Sequence, residues 1–252
     1  MTREGSARGG NGPSQTKALL AVHEAITTAH VVDACMRLKK HYRLAPAGIR
    51  SVTELDATII GPALPVRHFG SVDVFLEALA RAGRSATGSI MVIDNAGRTD
   101  EACIGDLVVL EAQLSGLAGM AVWGLHRDTH EIRELGLPVF SYGAFPSGPA
   151  RLDAQEPDAF EAACFGDFRV TASDTVIADA DGVVFVSTAD WPGIAEAAQA
   201  IRERELAQTA LALSGMTLRE QFQFEQYLAR RAFESDYTFR RHLAELSRSI
   251  EE

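Results

Sequence analysis

The chain has 252 residues, with 24 Lys and Arg against 34 Asp and Glu for a formal charge of −10, and 46% hydrophobic against 23% charged residues. That is enough apolar material for one large packed domain, alone or with attachments, and the acidic balance argues against a surface that tracks nucleic-acid phosphates, which needs clustered Lys and Arg. Cys35, Cys103 and Cys164 are scattered and odd in number, no apolar run is long enough to span a membrane, and no apolar signal region opens the chain, so a cytoplasmic protein with reduced thiols is expected.

Met1–Thr16 is rich in Gly and Ser with almost nothing apolar, which predicts a disordered leader. A helical pattern starts at Lys17. A second helix is expected over Val31–Leu38, preceded by Thr27-Thr28 and supported by Asp33 in its first turn, with Pro46 and Gly48 ending the region. Thr58–Ile60 predicts a short strand closed by Gly61-Pro62, and Ser71 is expected to cap a helix running through Ala82. Ser89–Ile93 is the clearest buried strand and ends in the polar turn Asp94-Asn95-Ala96-Gly97. A helix over Gly105–Leu114 and a strand over Gly119–Trp123 follow, a spacing that predicts a parallel βαβ crossover with its ligand loops at the strand carboxyl ends. A short helix (Thr129–Leu135) and a strand (Pro138–Tyr142) complete that half.

Phe168–Val170, Val176–Ala178 and Val183–Val186 predict short strands, the last two joined by an Asp181-Gly182 turn, so the fold class is α/β with an antiparallel addition. Trp191-Pro192 opens a long helix to Leu213, Gly215 interrupts it, and Thr217-x-x-Glu220 signals a further helix. Phe222, Tyr227, Leu228, Phe233, Tyr237, Phe239 and Leu243 recur at helical spacing beyond it, as in an amphipathic appendage. The expected organisation is a leader (1–16), a catalytic domain (17–213) and a C-terminal helical extension (214–252).

The densest cluster of functional groups is His126-Arg127-Asp128-Thr129-His130-Glu131, directly after an apolar strand. A guanidinium can polarise a developing oxyanion, and a neighbouring carboxylate can hold a hard cation against the same oxygen. Asp128 and Glu131, three apart, would share a helix face, and two carboxylates with room for water suit Mg²⁺ or Mn²⁺ better than a closed zinc cage. An ion-paired helix start is the plain structural alternative. The triplet His126-Arg127-Asp128 copies a kinase motif, but Arg133 stands where that motif has Asn and no Gly-rich loop precedes it. His126 and His130 have zinc-protease spacing, but Arg127 replaces the required Glu. Gly105-Asp106-Leu107-Val108 opens the crossover helix, and free N–H groups there can receive a carboxylate or phosphate.

The residues Val92–Gly97, Gly105-Asp106-Leu107, Gly116–Gly119, Gly124-Leu125-His126-Arg127-Asp128, Glu131, Leu135–Phe140 and Asp179–Val184 together resemble the RraA-like family over roughly residues 25 to 205. That family includes class II pyruvate aldolases acting on 4-hydroxy-4-methyl-2-oxoglutarate, which also decarboxylate oxaloacetate, and regulators of ribonuclease E activity. The resemblance implies an α/β fold of the swivelling β/β/α type, to which the helical patterns of this chain add N-terminal helices and a C-terminal helical extension. It further implies a homotrimer, or a hexamer of two trimers, with active sites between subunits. Under it, the backbone of Gly105, Asp106, Leu107 and Val108 would hold the pyruvyl carboxylate of a small 2-oxo acid, and Arg127 would contact its keto oxygen. Asp128 would bind Mg²⁺, Mn²⁺ or another divalent cation, and Glu131 would act through a water on that cation.

The implied activity is a metal-dependent lyase that cleaves a 4-hydroxy-2-oxo acid by retro-aldol reaction to pyruvate or decarboxylates oxaloacetate. The alternative is a non-catalytic, protein-binding regulator of ribonuclease activity, which has no need of Asp128. No side chain identifies itself as the general base; a carboxylate from a neighbouring subunit, such as Glu203 or Glu205, is one candidate. Trp123 and His126 depart from the family pattern, and so does the extension after Gly215.

Overall fold

The computed structural model describes residues 25–55 and 57–246, so the expected leader over 1–16 and the start of the first helical pattern lie outside the described residues. Contacts divide the chain into two compact units, one of them Thr27–Ala197 and the other containing the residues from Ala198 onward.

The first unit is built on an eight-stranded sheet of order β1-β12-β11-β3-β4-β6-β8-β2. Its centre consists of β3 (Ile59–Arg67), β4 (Ile90–Asp94), β6 (Gly119–Trp123) and β8 (Val139–Ser141), all mutually parallel. The expected crossover is present: α3 (Asp106–Leu114) connects β4 to its parallel neighbour β6. The β4 run Ile90-Met91-Val92-Ile93 is buried throughout because both faces of the sheet are covered. Met91 and Ile93 pack with Val74, Phe75, Val109 and Ile132 on the helical face. Ile90 and Val92 face Phe140, Phe165 and Phe185 on the other.

The antiparallel part contains β1 (Tyr42–Leu44), β11 (Asp174–Asp179) and β12 (Gly182–Ser187); β11 and β12 are joined by a two-residue turn at Ala180-Asp181, one residue earlier than the expected Asp181-Gly182, with Gly182 opening β12 opposite Asp179. A separate hairpin of β9 (Ala162–Phe165) and β10 (Phe168–Thr171) contributes to the second face. Three smaller strands, β2 (Arg50–Ser51), β5 (Ala102–Ile104) and β7 (Leu125–His126), complete the unit.

Several local expectations are corrected. The first described helix, α1 (Thr28–Leu38), starts at Thr28 rather than Val31; Thr27 is its N-cap, so Asp33 lies beyond the first turn. Helix α2 (Asp73–Ala82) begins after Val72 with no side-chain cap, so Ser71 does not cap it. Strand β3 is not closed by Gly61-Pro62. It continues to Arg67, pairing antiparallel with β11 up to Pro62 and parallel with β4 from Ala63. Pro65 is tolerated because of its direction: the Arg67 N–H, of the same parity, points away from β4 to the Ala159 carbonyl, so the N–H that Pro65 lacks belongs to no strand ladder.

Helix α1 is held at its start from across the sheet. The Asp179 carboxylate, at the end of β11, accepts from the Thr28 N–H and from the Thr28 hydroxyl, both at 2.7 Å, and from the Asp181 N–H at 3.0 Å. A carboxylate at a helix N-terminus satisfies orphan donors and the positive end of the dipole together.

The second unit contains the end of α5 (Trp191–Leu213), then α6 (Leu218–Gln221), α7 (Phe224–Phe233) and α8 (Phe239–Glu245). The Thr217–Glu220 capping box forms as expected. Its core is aromatic: Phe222, Phe224, Tyr227, Tyr237 and Phe239 surround His242, whose Nε2 lies 2.8 Å from the Phe222 carbonyl. Phe233, expected on the same apolar stripe, is instead 92% exposed. No described helix is long and apolar enough to cross a membrane.

Asp179→Ala leaves the Thr28 N–H and hydroxyl without their shared acceptor, and should lower stability by about 2 kcal/mol in denaturant titration. An unchanged midpoint would show that α1 does not depend on this contact.

Candidate active site

The geometry follows from the pairing of two very short strands. β5 immediately precedes α3, and β7 immediately precedes α4 (Thr129–Leu135). The two pair in parallel, Ala102 opposite Leu125 and Ile104 opposite His126, and the Arg127 N–H donates to the Ile104 carbonyl at 3.0 Å. Two helix starts are thereby placed side by side, so Gly105-Asp106 meets Arg127-Asp128 although 22 residues separate them in each case.

Asp128 is the N-cap of α4, in the left-handed region at φ +59°, and its side chain makes no capping bond to its own helix. A non-glycine residue at positive φ carries conformational strain that its surroundings must hold. The carboxylate turns instead to the neighbouring helix, where the Asp106 N–H lies 3.4 Å from Asp128 Oδ2. A side chain at residue 105 would overlap that oxygen, so glycine there makes the approach possible. Arg127 Nε lies 3.4 Å from the same carboxylate, both side chains remaining partly exposed. A Cβ at Gly148 would come within 3.1 Å of Arg127 Nη1, so a second glycine leaves room for the guanidinium.

These groups open onto a cavity of about 430 Å³, lined by Gly105, Asp106, Leu107, Val108, Arg127 and Asp128 together with apolar residues. Six of the seven residues expected at the site are thus brought together. Glu131 is placed apart from them: it is exposed and lines an adjoining depression with Asp106, His130 and Glu134. At the start of α3 the Leu107 N–H is already engaged by the Asp106 carboxylate at 2.8 Å. An incoming anion therefore has to displace that contact. Glu203 and Glu205 lie on α5 in the second unit, where Glu203 accepts from Gln199 at 3.0 Å.

His126 holds the pair in place from beneath. It is buried, with Nδ1 2.7 Å from the Ser141 hydroxyl on β8 and Nε2 2.9 Å from the Thr129 hydroxyl at the first position of α4. Its ring therefore ties β8 to the first residue of α4, next to the strained Asp128. Burial, reinforced by the Arg133 guanidinium, pushes its pKa below the ordinary value and favours the neutral ring. Burial and the two hydroxyl contacts give His126 a supporting role.

A further network was not anticipated from sequence. Arg151 binds Glu101 with Nε at 3.0 Å and Nη2 at 2.9 Å, pairs with Asp153, and donates to Asn95 Oδ1 at 2.9 Å. Asn95 Oδ1 also lies 2.8 Å from His68 Nδ1, and His68 stacks on Phe75. Since Arg151 can only donate, Asn95 Oδ1 is fixed as an acceptor and His68 Nδ1 as the protonated nitrogen. Together with the Ala102 N–H bond to the Ser147 carbonyl, the network secures the 147–151 strap beside β5 and the cavity.

Burial lowers the His68 pKa from its ordinary 6.5, with Arg151 adding to the effect and the Asn95 hydrogen bond opposing it. The folded state then binds this proton less readily than the unfolded state, so stability falls as pH falls through 6.5 and below. Thermal unfolding followed from pH 8 to pH 5 should show that loss, reduced in His68→Gln; identical slopes would remove His68 as its source.

The sequence profile described as RraA-like, Aldolase/RraA, matches residues 28–185. An uncharacterized protein of Methanocaldococcus jannaschii is 26% identical over 179 residues, covering 71% of this chain and 84% of its own. A protein of Alkalilimnicola ehrlichii named "Putative 4-hydroxy-4-methyl-2-oxoglutarate aldolase" is 30% identical over 124 residues, covering 49% of this chain and 74% of its own. Among solved structures, the RNA-processing inhibitor RraA of Thermus thermophilis superposes with a TM-score of 0.52 at 22% identity, over 62% of this chain and 91% of that one. With the profile spanning more than half of the residues and the α/β architecture in agreement, the chain belongs to the RraA-like family.

Proposed function

We propose that the protein is a divalent-metal-dependent lyase, acting in the cytoplasm, that releases pyruvate from a 4-hydroxy-2-oxo acid or from oxaloacetate. The observation that carries this reading is the convergence of Arg127, Asp128 and the start of α3 on one cavity, with Gly105 making room for the carboxylate. The aldolase name of the Alkalilimnicola relative supports it. Asp128 also favours an enzyme over a purely protein-binding regulator, since a strained, half-exposed carboxylate has a use in cation binding and none in a docking face.

The donor set fits a hard cation of the Mg²⁺ kind. Among the described residues no group of three or more His, Cys, Asp or Glu side chains is arranged to hold a metal ion by itself, which suits neither a closed zinc site nor an all-protein calcium cage. Mg²⁺ takes one or two carboxylates, keeps several waters and completes its shell with substrate oxygens. Asp128 would hold it directly and Glu131, from the adjoining depression, through a water. When bound, the cation supplies positive charge to the carboxylate and keto oxygen of the substrate.

The chain's own residues then do the following. The start of α3 receives the pyruvyl carboxylate once the Asp106 side chain gives up the Leu107 N–H. Arg127 donates to the keto oxygen and stabilises the charge that develops there as the carbon–carbon bond beta to the ketone breaks. Retro-aldol cleavage and β-decarboxylation both leave the pyruvate enolate, so one guanidinium serves both. His126 and the Arg151 network position Arg127 and Asp128 and touch no reacting atom. The site is proposed to be completed between subunits of a homotrimer or a hexamer, with the base for the 4-hydroxyl supplied from there.

Pyruvate release from oxaloacetate and from 4-hydroxy-2-oxo acids, followed by coupled lactate dehydrogenase, should require a divalent cation and stop with EDTA. Arg127→Ala and Asp128→Ala should each lose at least about 100-fold in kcat/KM while retaining the native circular dichroism spectrum. Full activity in Asp128→Ala would refute the metal assignment. Gly105→Ala has an unstrained backbone but displaces the Asp128 carboxylate, and should weaken Mn²⁺ binding, read by electron paramagnetic resonance, by at least about tenfold.

A further inference from the structure

On the reading that the site is completed between subunits, we propose that the outer faces of α2 and α3 are the surface on which a second copy of this chain seats, closing the cavity at Arg127 and Asp128. The composition of α3 points there first. Of its nine residues, Leu107, Val108, Val109, Leu110, Ala112 and Leu114 are apolar and encircle the helix, the pattern of a helix covered on all sides. Yet in the single chain only Val109 and Ala112 are buried, while Leu107 and Leu114 are each 74% exposed. Leu107, Leu110 and Leu114 recur at i, i+3 and i+7 and so form one stripe along the helix. Val72 and Leu76, one turn apart at the start of α2 and 54% and 49% exposed, carry the patch across the mouth of the cavity. Aliphatic side chains scattered singly need no cover, but a patch grouped around a functional cavity marks an interaction surface.

The site and its charges select the occupant. The side chains of Arg127 and Asp128 are 49% and 36% exposed, and a guanidinium and a cation act on a developing enolate far more strongly once water is excluded. The single chain leaves that exclusion undone, so the cover has to be present at every turnover. A second copy is a companion available in equal number. Beside the leucines, Glu111, Glu131 and Glu134 are exposed, and the chain carries a net charge of −10. This acidity repels an anionic lipid surface and nucleic-acid phosphates, which leaves a protein surface to cover the aliphatic side chains. In a closed ring of copies the contact is heterologous: this face meets a different surface of the next copy, and the leucines of the two copies need not touch one another.

The test reads coverage and association without turnover, on the full chain. One cysteine probe is placed at Leu114, at the far end of α3 from the cavity, and another at Met36 of α1, which is 50% exposed and outside the patch. Leu114→Cys is the more exposed position in the single chain, yet it should react with N-ethylmaleimide at least about tenfold more slowly than Met36→Cys because the second copy covers it. Sedimentation velocity should show the native chain as an oligomer and Leu114→Arg as the single chain, with the circular dichroism spectrum retained. A native protein that sediments as a single chain overturns the proposal, and so does an oligomer that persists in Leu114→Arg or labels at Leu114→Cys as fast as at Met36→Cys. If Leu114→Arg does not fold, the labelling of the two cysteine variants decides. Protection of Leu114→Cys in an oligomer that releases no pyruvate from any 4-hydroxy-2-oxo acid or from oxaloacetate would remove the lyase and keep the interface. Pyruvate release by a single chain would keep the lyase and remove the interface.

Discussion

The Asp128 carboxylate lies in the space that a side chain at residue 105 would occupy, and this close approach organises the cavity. It exists because β5 and β7, three residues and two residues long, pair in parallel and start two helices next to each other. Neither strand has hydrophobic length enough to be stable alone; each is carried by the large sheet, whose β4 and β6 deliver the chain to the same edge. The cavity is thus a product of the crossover, in keeping with the general placement of ligand sites at strand carboxyl ends.

The carboxylate is held in that position by a residue in the left-handed region, and contacts of its chain neighbours oppose the strain. His126 bridges β8 to the first residue of α4, so the backbone cannot relax without breaking two hydroxyl contacts of a buried ring. The Arg127 N–H is tied to Ile104 on the opposite side. Such rigidity suits the role proposed for Asp128, because reorganisation is completed in folding rather than at binding. The Arg151 network does the same for the strap, with Glu101 buried and its charge met by a guanidinium in two-point contact.

Much of the framework was legible in the sequence. The β4 run and the β6 run read as buried strands because both faces of a mixed sheet are covered, and the helix between them made the parallel connection the natural one. The Thr217–Glu220 capping box is local chemistry and formed where expected, and the β11–β12 turn formed one residue earlier than expected, at Ala180-Asp181. What escaped was non-local. Strands β1, β5, β7 and β9 are too short to show a period, and β3 was read as ending at Pro62 because a proline in a central strand is ordinarily excluded. Pro65, further along the same strand, is accepted because of the way its missing N–H points, and that is set by the partner strands. The Ser71 cap and the first-turn placement of Asp33 failed by small shifts in the helix starts, which depend on packing as much as on capping chemistry.

At the site, the sequence by itself determined the cast: a cluster of Arg127 and Asp128 after a buried strand, a glycine-led helix start, and a likeness to one family. Only the tertiary structure decided how they meet. It turned Asp128 toward α3 rather than along its own helix, placed Glu131 in the adjoining depression, and brought Val72, Leu76 and Pro149, which no motif connects, to the lining of the cavity. The reason is physical: residue type and helical or strand period are properties of neighbours along the chain, whereas the direction of a side chain and the charge it faces are set by elements that pairing and burial bring together from far apart.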